Sequence, residues 1–329
     1  MTEPRKANNK GPEVSVVVPM YRESDHVSAV LSTIESNLQS SAESYEIIVI
    51  DDGSPDNTWE MICQYAASDK TVRGVRLSRN FGKEHAVSAG LDLARGSAVV
   101  VMDGDLQHPP ELIPRMLECW RSNVADIVEG VKSHRGSESF LSRVFATTFY
   151  KILRNLSGFD LENASDFKLL DRRVVEAWRS LPERSLFFRG MTAWLGFRRV
   201  QLPFEVAERV GGRSRWSLFT LARLALTAFT SFSSALLQIV TVFGATFLVF
   251  SFFWGLYTLY VWYRHRAAEG FSTVILLQLL MGSLIMISLG IIGLYLARIY
   301  DEVKNRPRYL VADATRIAPE VNAQSASEL

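Results

Sequence analysis

The sequence predicts a doubly wound α/β layer with a mostly parallel sheet, followed by interfacial amphipathic helices and a two-helix transmembrane hairpin. Three observations carry that reading. Short apolar runs alternate with helical stretches through the first part of the chain, the runs end in polar residues, and two long stretches near the end carry no charge. The 329 residues accommodate one large soluble domain and a smaller apolar part. Lysine plus arginine number 36 against 35 for aspartate plus glutamate, a net charge of +1. With a pI near 7.8, bulk electrostatics gives no sign of a nucleic-acid partner. The mean hydropathy of +0.08 averages a mixed portion up to about Thr230 with a very apolar one beyond it.

Residues 1–12 are polar and lack an apolar core segment, which predicts a disordered leader and a domain that stays in the cytosol. Val14 to Val18 is the first strand, closed by Pro19, and Tyr21-Arg22-Glu23 follows as a loop. Ser24 or Asp25 can cap the next helix, where Val27, Val30, Leu31, Ile34 and Leu38 recur on one face. Tyr45 to Ile50 is the second strand and ends in Asp51-Asp52-Gly53-Ser54, after which Asn57 or Thr58 starts a helix. Val72 to Leu77 is the third, followed by Ser78-Arg79-Asn80-Phe81-Gly82-Lys83 and a helix through Ala94. Val99 to Met102 is the fourth and Asp126 to Val131 the fifth. Cys63 and Cys119 fall in helices and read as small buried apolar residues, with no disulfide framework.

The fourth strand matters most, because its apolar run stops at Asp103-Gly104-Asp105-Leu106-Gln107. Ligands of parallel sheets bind at the carboxyl ends of the strands. Oxygen side chains at Asp103, Asp105 and Gln107, with Gly104 letting the backbone bend, suit a hard divalent cation that keeps positions open for substrate phosphates. A carboxylate at the second strand tip can accept hydrogen bonds from a ribose or a base, although Asp51 or Asp52 can also cap the turn. No Gly-x-Gly-x-x-Gly follows the first strand and no Gly-x-x-x-x-Gly-Lys-Ser/Thr occurs, which excludes the common dinucleotide and P-loop designs. His26, His85, His108, His134 and His265 show no zinc-ligand spacing.

Lys132-Ser133-His134-Arg135-Gly136 reads as a basic loop, and Phe140 to Leu156 as a helix with an apolar stripe. Arg198 to Phe204 is a last strand. Arg209 to Ser217 gathers guanidiniums on a glycine-rich loop, suited to phosphate oxygens or to anionic lipid. Trp216 to Thr230 is amphipathic and reads as an interfacial helix. Phe232–Tyr263 and Phe271–Ala297 carry no charge, and each exceeds the roughly 20 residues that span a bilayer core. Arginines and lysines flank the hairpin on its outer sides, with only Arg264 and Arg266 in the connection, which places both termini in the cytoplasm. Trp254, Tyr257, Tyr260, Trp262 and Tyr263 supply an aromatic belt. Residues from Ala312 onward read as disordered.

Taken in order, Pro19 to Glu23, Asp51 to Ser54, Ser78 to Lys83 and Met102 to Gln107 resemble the GT-A glycosyltransferases of family 2. Within them the chain is similar to the polyprenyl-phosphate group: bactoprenol glucosyltransferases, dolichol-phosphate mannose synthases and the aminoarabinose transferases of lipid A modification. The resemblance runs from about Val14 to Leu310. It implies a GT-A fold, a nucleotide-sugar donor, inversion at the anomeric carbon, and Mg²⁺ or Mn²⁺. Position by position it implies Pro19, Tyr21, Glu23, Asp51, Asp52, Lys83 and Asp103 at the nucleotide sugar, and Asp103, Asp105 and Gln107 at the metal. Ala164 to Leu170 matches the segment in which an aspartate approaches the anomeric carbon, making Asp166 and Asp105 the catalytic candidates; the family often has Gly where Ser165 stands. Glu183 to Leu195 resembles the acceptor-side helix. Lys132, Arg135, Arg209, Ser214 and Arg215 are expected at the acceptor phosphate, the family usually having Lys in place of Arg215.

The expected division is a leader over 1–12, a GT-A domain over 13–213, an interfacial helix over 214–231, a hairpin over 232–298 and a cytoplasmic tail over 299–329. The implied reaction is transfer of a hexose, favoured as glucose from a UDP-sugar, to undecaprenyl or another polyprenyl phosphate at the cytoplasmic face of a bacterial inner membrane. Mannosyl transfer from GDP-mannose and aminoarabinose transfer are the alternatives within the family. A non-catalytic membrane scaffold with a vestigial nucleotide site is the rival from another class. A two-span hairpin offers no translocation pore, which weighs against a processive synthase. The resemblance also implies a homo-oligomer, a tetramer, acting ahead of a flippase and a further glycosyltransferase. A phosphate monoester has a second pKa of roughly 6, so Asp166 is expected to position and stabilise charge more than to remove a proton.

Overall fold

The computed structural model describes residues 11–105, 107–132, 165–184, 186–204, 235–264 and 271–315. The chain divides into two units: Met1–Tyr150, Phe159–Arg213 and Pro307–Leu329 form one, Lys151–Gly158 and Ser214–Arg306 the other.

The first unit is built on an eight-stranded sheet in the order β7-β5-β6-β4-β1-β2-β3-β8. Strands β1 (Val14–Met20), β2 (Tyr45–Asp51), β3 (Val72–Leu77) and β4 (Ala98–Val101) run parallel, as their continuous apolar runs require. The pairing of Met20 with Asp51, and of Val17 with Val101, brings three strand ends to one edge of the sheet. Helix α1 (Val27–Ser41) buries the five apolar residues read from its sequence, each worth roughly 1.5–3 kcal/mol. Its N-terminus lacks the side-chain cap expected from Ser24 or Asp25. Helix α2 (Thr58–Ser68) starts as expected, with Asn57 at its N-cap; the side-chain bond there comes from Asp56, whose Oδ1 accepts from the Thr58 amide at 3.3 Å and hydroxyl at 2.7 Å. Helix α3 (Lys83–Leu93) lies so close to the sheet that a Cβ on Gly90 would come within 2.1 Å of Val17. Lys83 therefore opens a helix instead of ending a loop.

A 3₁₀ turn at Pro110–Leu112 leads into α4 (Ile113–Arg121), and β5 (Ile127–Lys132) follows. The sequence reading missed β6 (Lys168–Asp171), which inserts antiparallel between β4 and β5. Its four residues are too few to show a period. Helices α5 (Arg172–Arg179) and α6 (Phe188–Trp194) and strand β7 (Arg199–Phe204) complete this part. Helix α6 is shorter than the Glu183-to-Leu195 helix the resemblance implied.

One expectation is overturned. The tail is ordered as far as Thr315: β8 (Val311–Ala314) pairs antiparallel with β3, and the Thr315 amide donates to the Gly74 carbonyl at 3.0 Å. The edge of β3 offers open backbone groups, and a mostly exposed strand of four residues, too short to show a period, satisfies them. Both cysteines are free and half-buried.

In the second unit, α7 (Ala235–Tyr263) has 29 residues and α8 (Phe271–Val303) has 33. Among the described residues one stretch, Leu280–Val303 with mean hydropathy 2.1, is long and apolar enough to cross a membrane, and Val242–Tyr257 is a shorter apolar one. Large apolar side chains such as Leu248, Phe253, Met286 and Leu296 are exposed along both helices. Of the expected leader over 1–12, residues 1–10 lie outside the described residues, as do the Phe140-to-Leu156 and Trp216-to-Thr230 helices, while the Pro12 carbonyl accepts from the Ser97 amide at 3.1 Å.

Candidate active site

The edge where β1, β2 and β4 end borders a cleft of ≈ 270 Å³ lined by Pro19, Met20, Tyr21, Glu23, Asp52, Asn80, Gly82, Lys83, Ala86, Asp103, Gly104 and Asp105. Seven sequence-predicted residues therefore share one wall: Pro19, Tyr21, Glu23, Asp52, Lys83, Asp103 and Asp105. Two loops are pinned together to form it. The Arg22 amide donates to Ser54 Oγ at 3.0 Å and the Glu23 amide to Thr58 Oγ1 at 3.0 Å. Gly53 has φ +65°, and a Cβ there would meet the Arg79 backbone at 2.4 Å, so the turn demands glycine. Tyr21 stays exposed, with the Arg22 guanidinium 5.2 Å from its ring centroid.

The two neighbouring aspartates do different things. Asp51 is fully buried, accepts from the Ser54 amide at 3.0 Å and faces Arg76 at 3.4 Å, outside the cleft lining. Asp52 uses both oxygens on the Phe81 and Gly82 amides, at 2.8 and 2.9 Å, and so shapes the loop before α3. Burial raises the pKa of both.

The centre of the site joins three elements. Strand β6 runs antiparallel with Lys168 opposite Val101, so Asp166, just ahead of β6, arrives beside Asp103, just past β4. Lys83, in the first turn of α3, bridges them: its Nζ lies 2.6 Å from Asp103 and 2.6 Å from Asp166. Arg189, from α6, holds both Asp166 oxygens at 2.6 and 2.8 Å. Burial would lift the Asp166 pKa, but Arg189 and Lys83 outweigh it and hold the carboxyl well below the usual range. Burial would likewise lower Lys83, and the two aspartates raise it instead. Glu84 accepts from the Phe188 amide at 2.7 Å, and burial, with Asp166 next, pushes it up to about 7.

The loop after β4, where the sequence predicts oxygen ligands, is partly set. His108 Nδ1 accepts from the Asp103 amide at 3.1 Å while its ring stacks on Phe167 at 5.2 Å; burial lowers its pKa, which keeps the nitrogen an acceptor. Asp105 Oδ1 accepts from the Gln107 amide at 3.1 Å, bringing the three predicted oxygen donors onto one turn. Among the described residues no three His, Cys, Asp or Glu side chains gather to hold a metal. The loop offers two carboxylates and an amide, a hard donor set that leaves positions to be filled by substrate oxygens. Burial raises the pKa of Glu23; His26 pulls against the rise, and Asp105, Asp56 and Asp103 each add to it. That excess of negative charge fits a cation.

Lys132 ends β5, and its side chain, like Arg135, Arg209, Ser214 and Arg215, lies outside the described residues. Three contributors escaped the sequence reading: Arg189, Glu84 and the anchoring role of His108. Arg189 stood inside the stretch read as the acceptor-side helix, but only the antiparallel course of β6 shows which carboxylate it meets.

The sequence profile of Glycosyl transferase family 2 matches residues 15–178. An uncharacterized glycosyltransferase of Synechocystis sp. is 37% identical over 303 residues, covering 92% of this chain and 95% of its own. The SfII prophage-derived bactoprenol glucosyl transferase of Shigella flexneri is 37% identical over 309 residues, covering 93% of this chain and 100% of its own. Among solved structures, mannosyl-3-phosphoglycerate synthase from Rubrobacter xylanophilus aligns with TM-score 0.47 and 19% identity over 66% of this chain and 71% of its own. On the end-to-end match to relatives at this identity, and on a mixed α/β sheet of GT-A type, the chain belongs to glycosyl transferase family 2 and is a glycosyltransferase.

Proposed function

We propose that the enzyme transfers glucose, with inversion, from UDP-glucose to undecaprenyl phosphate at the cytoplasmic face of a bacterial inner membrane. The observation that carries this reading is Lys83 bridging Asp103 and Asp166, which joins a diphosphate-side carboxylate to an ionised carboxylate on the far side of the same centre. The choice of sugar and lipid follows the Shigella relative, a bactoprenol glucosyl transferase matched over its full length.

In this reading Tyr21 and Glu23 receive the nucleoside while Asp51 and Asp52 hold the turn and loop around it. Asp103, Asp105 and Gln107 would hold Mg²⁺ or Mn²⁺. Such an ion, when bound, neutralises charge on the departing diphosphate. An acceptor phosphate oxygen forms the new bond to the anomeric carbon as the bond from that carbon to the diphosphate oxygen breaks. Because the acceptor is already dianionic above a pKa of roughly 6, no proton needs to leave during attack. Asp166 faces two cations and is a poor proton acceptor, so it orients the reactants and stabilises positive charge developing on the sugar. Lys132, Arg135, Arg209, Ser214 and Arg215 are assigned to the acceptor phosphate, and α7 and α8 to a transmembrane hairpin that keeps that phosphate at the surface. The domain limits at 213, 231 and 298 and a tetrameric assembly belong to the same reading.

The test uses the full chain in membranes supplied with undecaprenyl phosphate and labelled UDP- and GDP-sugars. The expected result is label from UDP-glucose in the lipid extract, abolished by chelator. Label from GDP-mannose alone would move the assignment to a mannosyltransferase, and no lipid label from any donor would overturn it.

A further inference from the structure

We propose that Glu84 is a positioning residue of this centre: through the Phe188 amide it sets the helix that aims Arg189 at Asp166. The proposal rests on the transferase reading for what Asp166 does, and on geometry alone for how Asp166 is held. Lys83 and Glu84 are consecutive residues in the first turn of α3. Lys83 takes Asp166 directly, while Glu84 Oε2 accepts from the Phe188 amide at 2.7 Å. The next residue, Arg189, returns to both oxygens of the same Asp166. The contacts form a closed ring from Asp166 through Lys83, Glu84, Phe188 and Arg189 back to Asp166.

Helix α6 needs this support. Phe187 at its N-cap provides no side-chain cap, so the Phe188 amide would otherwise be an orphan donor in a buried place. The far end of the helix is fixed separately. Lys168, fully buried and paired with Glu129 at 2.8 Å, donates to Thr192 Oγ1 at 2.7 Å. With Phe188 and Thr192 both fastened, the Arg189 side chain leaves a helix that cannot rotate or slide, and its fork meets Asp166 in a bidentate grip. Glu84 sits where burial and Asp166 both oppose its charge, a placement that local stability alone does not favour and that functional sites commonly tolerate. It does not line the donor cleft.

The kinetic test compares Glu84→Ala, Glu84→Gln, Arg189→Ala and the Glu84→Ala/Arg189→Ala pair in the full chain. A misplacement near 1 Å can cost about 100-fold in rate, so Glu84→Ala is expected to lower kcat about 10- to 100-fold with donor KM nearly unchanged. Glu84→Gln retains an oxygen for the Phe188 amide and is expected to recover most of that loss. The double variant is expected to be no slower than Arg189→Ala alone. Additive losses, or a donor KM that rises with the fall in kcat, would overturn the proposal. Hydrogen exchange over residues 186–194 provides a readout that needs no turnover: it should quicken in Glu84→Ala and stay protected in Glu84→Gln. Unchanged exchange in Glu84→Ala overturns the role of Glu84 whatever the reaction is. Quickened exchange in Glu84→Ala, alongside a wild-type protein that transfers no sugar to lipid, instead sinks the transferase reading and leaves the positioning role standing.

Discussion

Lys83 reaches Asp103 across 20 positions of sequence and Asp166 across 83. A cation shared by two carboxylates in this way ties the ends of β4 and β6 together. Asp166 has its pKa depressed, so the stability it contributes is complete above the usual carboxylate range and fades only as pH falls through its lowered value. Its ion pairs therefore persist at any pH where the enzyme works. Asp105 is exposed, and replacing it by Asn removes charge from the proposed cation site while leaving the Gln107 amide an acceptor oxygen. Asp105→Asn is expected to lower kcat at least 100-fold with the melting temperature within a few degrees of wild type. Activity within threefold of wild type, with metal-stripped protein equally active, would remove this role from the loop. Asp51, Asp52, Asp103 and Asp105 were legible in the sequence because they close apolar runs, and Asp166 only through the family resemblance. Arg189, Glu84 and His108 were not, because their partners are decided by tertiary contacts: His108 is held by Phe167 and Asp103, Arg189 by Asp166.

At the scale of elements, the alternation of apolar runs with helical stretches found the parallel strands β1 to β4 and the helices between them, since apolar runs covered on both faces stand out. It failed at the two short antiparallel strands. β6 has four residues, yet it alone turns the chain so that Asp166 meets Asp103. β8 is short and mostly exposed, and its order comes from the open edge of β3 together with two side-chain anchors. Tyr309 donates its hydroxyl to Asp92 at 2.9 Å, and Arg308 donates to the Leu181 carbonyl. Burial lifts the Asp92 pKa, and the Tyr309 bond works against that rise. Tyr309→Phe is therefore expected to destabilise the first unit by about 1–3 kcal/mol, read as a lower melting temperature. The loss should be larger at pH 8 than at pH 5, because the unpaired carboxylate is charged at the higher pH. An unchanged melting temperature at both would show that the tail strand rests on backbone pairing alone.

At the scale of the whole molecule, the chain combines a cleft of strand tips with a pair of long apolar helices, and the reaction proposed for it needs both. A water-soluble acceptor would make no use of α7 and α8, whereas a polyprenyl phosphate must present its charged head at a membrane surface. The acceptor also decides the chemistry, because a phosphate arrives already ionised and a sugar hydroxyl does not. The account therefore stands on Asp166 acting by its charge and position. The measurement that bears on it most directly is label transfer from UDP-glucose to undecaprenyl phosphate by wild type and Asp166→Asn between pH 6 and pH 8.5. The account predicts that the variant is slower by a constant factor, about 100-fold or more, across that range. Recovery of the variant to near wild-type turnover by pH 8.5 would show that Asp166 works as a base, and would contradict it.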